Sequence, residues 1–299
     1  MGEVLFDTLI DGSELALIAV GMTLVFGAVK FANIAQVEFA TLGAYGTVLA
    51  GSLIGGGPLV VEAILSIVGV GLIAVGLYHL IFKRLLIRSP ATAMIGSLAL
   101  SILLRALIQT ITGPRPKELD VPLERANDIL GALVTPSQVR IIVISVVALA
   151  ALMAVLRLTA LGRSIRAVSA NPDLAAAAGI DVRRVIDVVW LLAGLFGALG
   201  GVMYAIDNQV SLEMGFGLLL PVFAAALLGG FGSPGGAILA SYLLALAESV
   251  VLRVDWGEVI NTGSAYLDSS YRPAIGFVLL LLVLLIRPQG IFGREARRA

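Results

Sequence analysis

An all-α polytopic membrane protein, with about 8 to 9 transmembrane or half-transmembrane helices and some of them interrupted, is the fold class this sequence predicts. Three observations carry that reading. The 299 residues are 59% hydrophobic and 13% charged, with a mean hydropathy of +1.03, whereas soluble domains average about 25% charged. The apolar residues come in unalternating runs of roughly 20, each long enough to cross a hydrocarbon core of about 30 Å as a helix. Those runs lack the period-two alternation of barrel strands, and a helix satisfies its own backbone groups in lipid.

The elements follow in order. The opening, MGEVLFDTLIDGSE, is acidic and lacks the positive n-region and cleavage pattern of a signal peptide, so the first span is expected to be its own targeting element. Spans are expected at 14–30, 34–52, 59–82, 91–112, 138–156, 185–206, 217–230, 236–253 and 272–287. The segment 217–230 is short and ends in LLGGFGSPGGA, so a re-entrant half-helix competes there with a full crossing. Within 185–206, Gly194, Gly197, Gly200 and Gly201 recur on a helix face as small-residue packing does.

Basic residues orient the chain. Lys83, Arg84 and Arg88 form one cluster; Arg157, Arg163, Arg166, Arg183 and Arg184 a second; Arg287, Arg294, Arg297 and Arg298 a third. The positive-inside rule puts these in the cytoplasm, with the N-terminus outside. Acidic Glu3, Asp7, Asp11 and Glu14, and the 113–137 loop with Pro114, Pro116, Pro122 and Pro136, fall on the other side.

Composition also excludes chemistry. Cysteine is absent and His79 is the sole histidine, which removes disulfides, thiolate metal sites and most histidine-based catalysis. No GxxxxGK[ST] phosphate loop is present, so any nucleotide must be handled by a partner. No catalytic residue, metal site or nucleic-acid partner is expected.

Two segments combine hydrophobicity with helix breakers, 31–46 (FANIAQVEFATLGAYG) and 221–236 (PVFAAALLGGFGSPGG). Transporters often build substrate sites where interrupted helices meet near the bilayer midplane. The candidate path is therefore Asn33, Gln36, Glu38, Gly43, Gly229, Gly230 and Gly232. LGAYG and LGGFG echo each other in opposite senses, which either marks an inverted repeat or reflects shared cheap composition. Charges inside the membrane are costly and default to functional candidates. Glu38 is the best of them, in the interrupted segment with Asn33 and Gln36 nearby, and Arg105 lies well inside the fourth span; either a pair between them or separate structural contacts would account for them. Asp187 is expected to answer Arg183 or Arg184, Glu248 to reach the outer interface, and His79 to lie at an interface.

The long polar interruption, 161–181, reads LGRSIRAVSANPDLAAAAGID. Asn171 can cap a helix, Pro172 fits its first position, Asp173 suits the positive end of the dipole, and Gly179 suits a left-handed residue after the last turn. A self-terminated helix of roughly two turns results. So short a helix is marginal alone and must pack on something; the methyls of Ala176 and Ala177 allow close approach. A plain connecting turn and a docking element both fit these local features.

Taken together, ANIAQVEF at 32–39 followed by LGAY, the GRSIRAVSANPDLAAAAGID loop, LLGGFGSPGGAILA and the closing LIRPQGIFGR resemble the permeases of bacterial and archaeal ABC importers for branched-chain amino acids. The likeness covers nearly the whole chain. It departs at Gln36, where the family usually carries histidine, and at Val37, where it usually carries glycine. If that segment lines the path, a titratable imidazole has become a neutral amide and the break has stiffened.

The resemblance implies a single permease domain over 1–299, lodged in the plasma membrane. It implies a second permease, paralogue or copy, two ATP-binding subunits that hold ATP and Mg, and an extracytoplasmic substrate-binding protein. No cofactor is implied on this chain. The loop 161–184 becomes the ATPase-coupling element, matched at Gly162, Arg166, Ala167, Asn171, Pro172, Ala177, Gly179 and Ile180, with Asp173 and Ala176 joining from the local chemistry. The implied cargo is an amino acid with a branched or hydrophobic side chain. The departures at Gln36 and Val37 leave urea or a short amide open, and an ion-coupled carrier or a channel is the rival from another class.

Overall fold

The computed structural model describes residues 2–55, 57–122, 124–129, 131–254, 267–268, 271–286 and 290. The basic tail and most of LIRPQGIFGR lie outside the described residues. Every expected span is a helix: α1 Gly2–Val29, α2 Gln36–Ile54, α3 Leu59–Leu86, α4 Pro90–Thr112, α5 Pro136–Leu158, α8 Val182–Asp207, α9 Met214–Leu228, α10 Pro234–Arg253 and α11 Arg272–Ile286. Between α5 and α8 stand two short helices, α6 Ala160–Ala170 and α7 Pro172–Ala177. Among the described residues, seven helices are long and apolar enough to cross a membrane. At 15 residues, α9 spans about 22 Å, too short to cross alone.

The molecule has two ends. The basal end carries α6 and α7; the distal end carries the start of α1 and a small antiparallel hairpin, β1 Asn127–Ile129 and β2 Ala132–Val134. At the distal end the acidic start of α1 is not a leader to the span but its first turns: Arg253 pairs with Glu3 and Asp7, and Arg272 with Asp11 at 2.9 Å. Between them the distal loop is fastened by Glu124, whose carboxyl is held below the ordinary range by a hydrogen bond from Ser137 and by Arg140 at 2.8 Å.

Buried helices and lipid-facing helices separate clearly. The apolar core of α1 is 89% buried, against 28% for α3 and α5 and 33% for α4. Helix α1 lies at the centre, against α8, α10 and α9, and α8 packs on α2 and α3. The expected glycine face of α8 is its packing face: a Cβ on Gly201 would overlap the Ala40 carbonyl, one on Gly194 would come 2.9 Å from the Val70 carbonyl, and one on Gly200 would crowd Leu17 and Ile18. Close backbone approach replaces side-chain interdigitation here. At the basal end Tyr78 and Phe82, both on a π turn of α3, stack on Trp190 of α8 with centroids 5.5 and 4.8 Å away. The extra residue of the π turn turns both rings toward α8.

Each expected interrupted segment contains a break, at residues 31–35 in the first and at 229–233 in the second, but the two LG motifs sit differently relative to them. LGAYG lies inside continuous α2, while LGGFG closes α9 and turns, with Gly230 and Gly232 both at φ +86°. The echo therefore joins non-equivalent positions. A further lead-in that no motif marked, 208–213, stands opposite the one at 30–35. Helix α1 runs to the basal end, and residues 31–35 then climb back to start α2 beside Gly21, about 12 Å above the end of α1. Helix α8 runs to the distal end, where Val210 bridges to Lys117, and the chain then descends to start α9 beside Val37 and Thr41. Each lead-in thus delivers a helix N-terminus to mid-depth from the opposite end.

Candidate functional site

The meeting point of those N-termini is built around Glu38. Its side chain is fully buried, its Oε1 accepts from Ser101 Oγ at 2.9 Å, and the same oxygen accepts from Arg105 Nη2 at 2.8 Å. The pairing of Glu38 with Arg105 is thus present. Gly215, in the first turn of α9, faces Glu38 so closely that an added Cβ would lie 3.2 Å from Oε2. Arg105 reaches a second carboxylate, Glu213, at 3.3 Å through Nη1, and its guanidinium lies 4.8 Å over the ring of Phe216. Glu213 is 74% exposed, while the Arg105 side chain is 20% exposed.

The neighbouring polar residues are sealed inside. Gln36 donates Nε2 to the Ala193 carbonyl at 2.9 Å, and Ile34 N–H donates to Ser97 Oγ at 3.0 Å. The Asn33 amide, Gln36 Oε1, Glu38 Oε2 and Thr41 Oγ1 are buried with no hydrogen-bond partner among the described residues. Of the other candidate path residues, Gly43 packs on the α8 backbone at Ala198, Gly229 packs on Gly236, and Gly232 faces Gly27 at the basal end. Gln36 thus faces α1 and α8 while Glu38 faces α4 and α9, on different sides of α2, and the four glycines are spread over packing contacts and the basal turn.

At the basal end the polar interruption is two helices that share Asn171 as C-cap and N-cap. Asn171 Oδ1 accepts from Asp173 N and Leu174 N, both at 3.0 Å, and Pro172 is the first helical residue. The C-terminus closes by Gly179 N–H to Ala176 O at 2.9 Å and Ile180 N–H to Ala175 O at 3.0 Å, with Gly179 at φ +82°. That is a Schellman closure. Ala175 is buried against the body; Leu174, Ala176, Ala177 and Asp173 face outward, Leu174 with 68% exposure. Gly162 is buried against the Leu156 backbone, Arg166 donates to the Leu156 carbonyl, and the Ala167 carbonyl receives Asn171 N–H at 3.0 Å.

Four residues here escaped the sequence reading. Glu213, Ser101 and Leu174 carry no motif, although Glu213 closes the polar run DNQVSLE ahead of α9. The fourth, Lys30, is the only non-glycine with positive φ among the described residues, at 58°. Its Nζ donates to Gly27 O at 2.9 Å and Ser169 O at 2.6 Å, placing one ammonium on the carbonyl ends of both α1 and α6. Other expectations are corrected. Asp187 pairs with His79 at 2.9 Å, not with an arginine, while Arg184 pairs with Asp181 at 3.0 Å. Glu248 is 5% exposed, its carboxyl buried beside Gly276 of α11.

Comparison with known proteins decides the family. The family model described as branched-chain amino acid transport system / permease component matches residues 4–286. The chain belongs to this family. Among its relatives, the high-affinity branched-chain amino acid transport system permease protein LivH of Escherichia coli K12 is 30% identical over 310 residues, covering 97% of this chain and 94% of LivH. BraD of Pseudomonas aeruginosa, a permease of the same description, is 26% identical over 304 residues, covering 97% of this chain and 95% of BraD. Among solved structures, PsaBC from Streptococcus pneumoniae in complex with Fab shares the fold, with a TM-score of 0.51, 17% identity, and coverage of 96% of this chain and 92% of that one. The permease is therefore a multi-pass membrane protein of an ABC importer. Permeases of this kind work with ATP-binding and substrate-binding partners.

Proposed function

We propose that this permease forms half of the translocation path for an amino acid with an apolar side chain, and that α7 is where ATP-driven motion enters it. The basal end is cytoplasmic and the distal end, with the N-terminus, extracytoplasmic. ATP and Mg are held by two separate ATP-binding subunits, a second permease completes the path, and an extracytoplasmic binding protein delivers the cargo. This chain itself does no covalent chemistry and binds no cofactor.

The observation that carries this reading is the shape of α7. It is capped at both ends, anchored by Ala175, and presents Leu174, Ala176 and Ala177 to a partner. A connecting turn has no use for a preformed apolar face; a docking helix gains from it, because ordering costs are met before the partner arrives. Lys30 supports the same reading, since it links α6 directly to the segment that leads to Gln36 and Glu38.

The path face is supported by Glu213. Arg105 lies seven residues before the distal end of α4, about 10 Å deep. An exposed carboxyl group paired with a guanidinium at that depth is costly against lipid and is accommodated by water or protein. The α4–α9 face is thus the one turned to the second permease and the path between them. A neutral urea or amide would make no use of such a charged pair.

The test is Ala176→Glu and Ala177→Arg in the assembled importer reconstituted in vesicles. Both variants are expected to insert normally and to lose ATP-dependent uptake of radiolabelled L-leucine. Uptake at the normal rate by a stably inserted variant overturns the docking role.

A further inference from the structure

We infer that the Arg105–Glu213 pair is a clasp for the zwitterionic head of the cargo, with Phe216 and Leu220 as the seat of its side chain. This rests on the reading of the α4–α9 face as the path.

The three charged groups are not equivalent. Glu38 is fully buried and held by Ser101 and by Nη2 of Arg105, so it is a fixed counter-ion. Glu213 is 74% exposed and holds Nη1 at 3.3 Å, the longer and wetter of the two contacts. The Nη1 edge is therefore the one a ligand can take. An α-carboxylate can replace Glu213 there in the bidentate or single-point geometry guanidinium favours. The displaced Glu213 carboxyl group is then free to accept from the ligand's α-ammonium. The ligand thus exchanges one ion pair for two.

Charge and shape narrow the ligand further. Two carboxyl groups share the one guanidinium, so a zwitterion finds a partner for each of its charges and a ligand with a second carboxylate finds no cation left for it. Phe216 and Leu220 are half exposed and one turn apart on α9, on the basal side of the charged pair. They offer an apolar wall beside the head group and no polar partner for a side chain. An α-amino acid with an aliphatic side chain meets all of these conditions.

The experiment measures binding of radiolabelled L-leucine to the intact importer in nanodiscs without the binding protein. Competitors are 3-methylbutylamine, which lacks the carboxylate, and 4-methylpentanoate, which lacks the ammonium. In the wild type each is expected to compete at least about tenfold more weakly than leucine. Glu213→Gln is expected to weaken leucine binding about tenfold while leaving 4-methylpentanoate unchanged or tighter, because only the ammonium loses its partner. Equal binding of leucine by the wild type and Glu213→Gln overturns the clasp. If that occurs with ATP-driven leucine uptake intact, the path reading survives without it. Absence of both leucine binding and leucine uptake in a wild-type complex that hydrolyses ATP overturns the amino-acid reading and the clasp together.

Discussion

A guanidinium between two carboxylates tells them apart by burial. Glu38 would be an uncompensated charge in an apolar interior without Arg105, and a broken buried pair costs up to about 3–5 kcal/mol. Glu38→Ala should therefore lower the thermal unfolding midpoint of the purified permease, leaving Arg105 with only its exposed partner. Glu38→Gln keeps an oxygen for Ser101 and Arg105, so it should assemble with its partners and slow uptake. Unchanged uptake kinetics in Glu38→Gln would leave Glu38 a purely structural residue. The sequence exposes Glu38 and Arg105 because a charge among apolar neighbours is conspicuous by its cost. Glu213 is hidden by its context, a polar lead-in where carboxylates are ordinary, and only the descent of that segment to mid-depth makes it unusual. The same holds for Lys30: a lysine after a span reads as an interfacial charge, and nothing local says it will adopt φ 58° and bond two helix ends.

At the scale of elements, caps, seams and the two interrupted segments were readable, and the lead-in at 208–213 was not. Asn171, Pro172 and Gly179 shape α7 through bonds within a few residues, and all three act as that local chemistry requires. Asn171→Ala should destabilise α7 by about 1 kcal/mol. Hydrogen exchange over residues 172–177 should accelerate roughly fivefold, and transport per ATP should fall; protection at the wild-type level would show that packing alone holds the helix. The glycine face of α8 was equally plain, and there Gly201→Val should prevent the close approach of α8 to Ala40 and cut the yield of folded permease. Within 31–46 the break falls at 31–35 and not at the glycines. LGAYG is held helical inside α2 by its fit against α8, where Gly43 meets Ala198, so tertiary packing overrides the local preference. In contrast, residues 31–35 leave the helix under tertiary restraint, with Phe31 stacked on Phe82 at 5.4 Å and Ile34 bonded to Ser97.

Across the whole molecule, the two lead-ins enter from opposite ends and deliver α2 and α9 to one mid-depth junction, an arrangement suited to exposing that junction to each side in turn. Lys30 ties the basal lead-in to α6, whereas the Lys117–Val210 bridge ties the distal lead-in to the distal loop. Motion at either surface thus has a short covalent and hydrogen-bonded route to Glu38. This mechanism requires α6 and α7 to be cytoplasmic, because ATP is there, and the absence of cysteine allows a direct test. Ala126→Cys, beside the distal hairpin, and Arg163→Cys, on α6, both place a thiol at an exposed position. In intact cells a membrane-impermeant maleimide should label Ala126→Cys within minutes. Arg163→Cys should stay unlabelled until the membrane is permeabilised. The opposite pattern would invert the permease and place α7 on the side without ATP, and with it the proposed coupling route would fall.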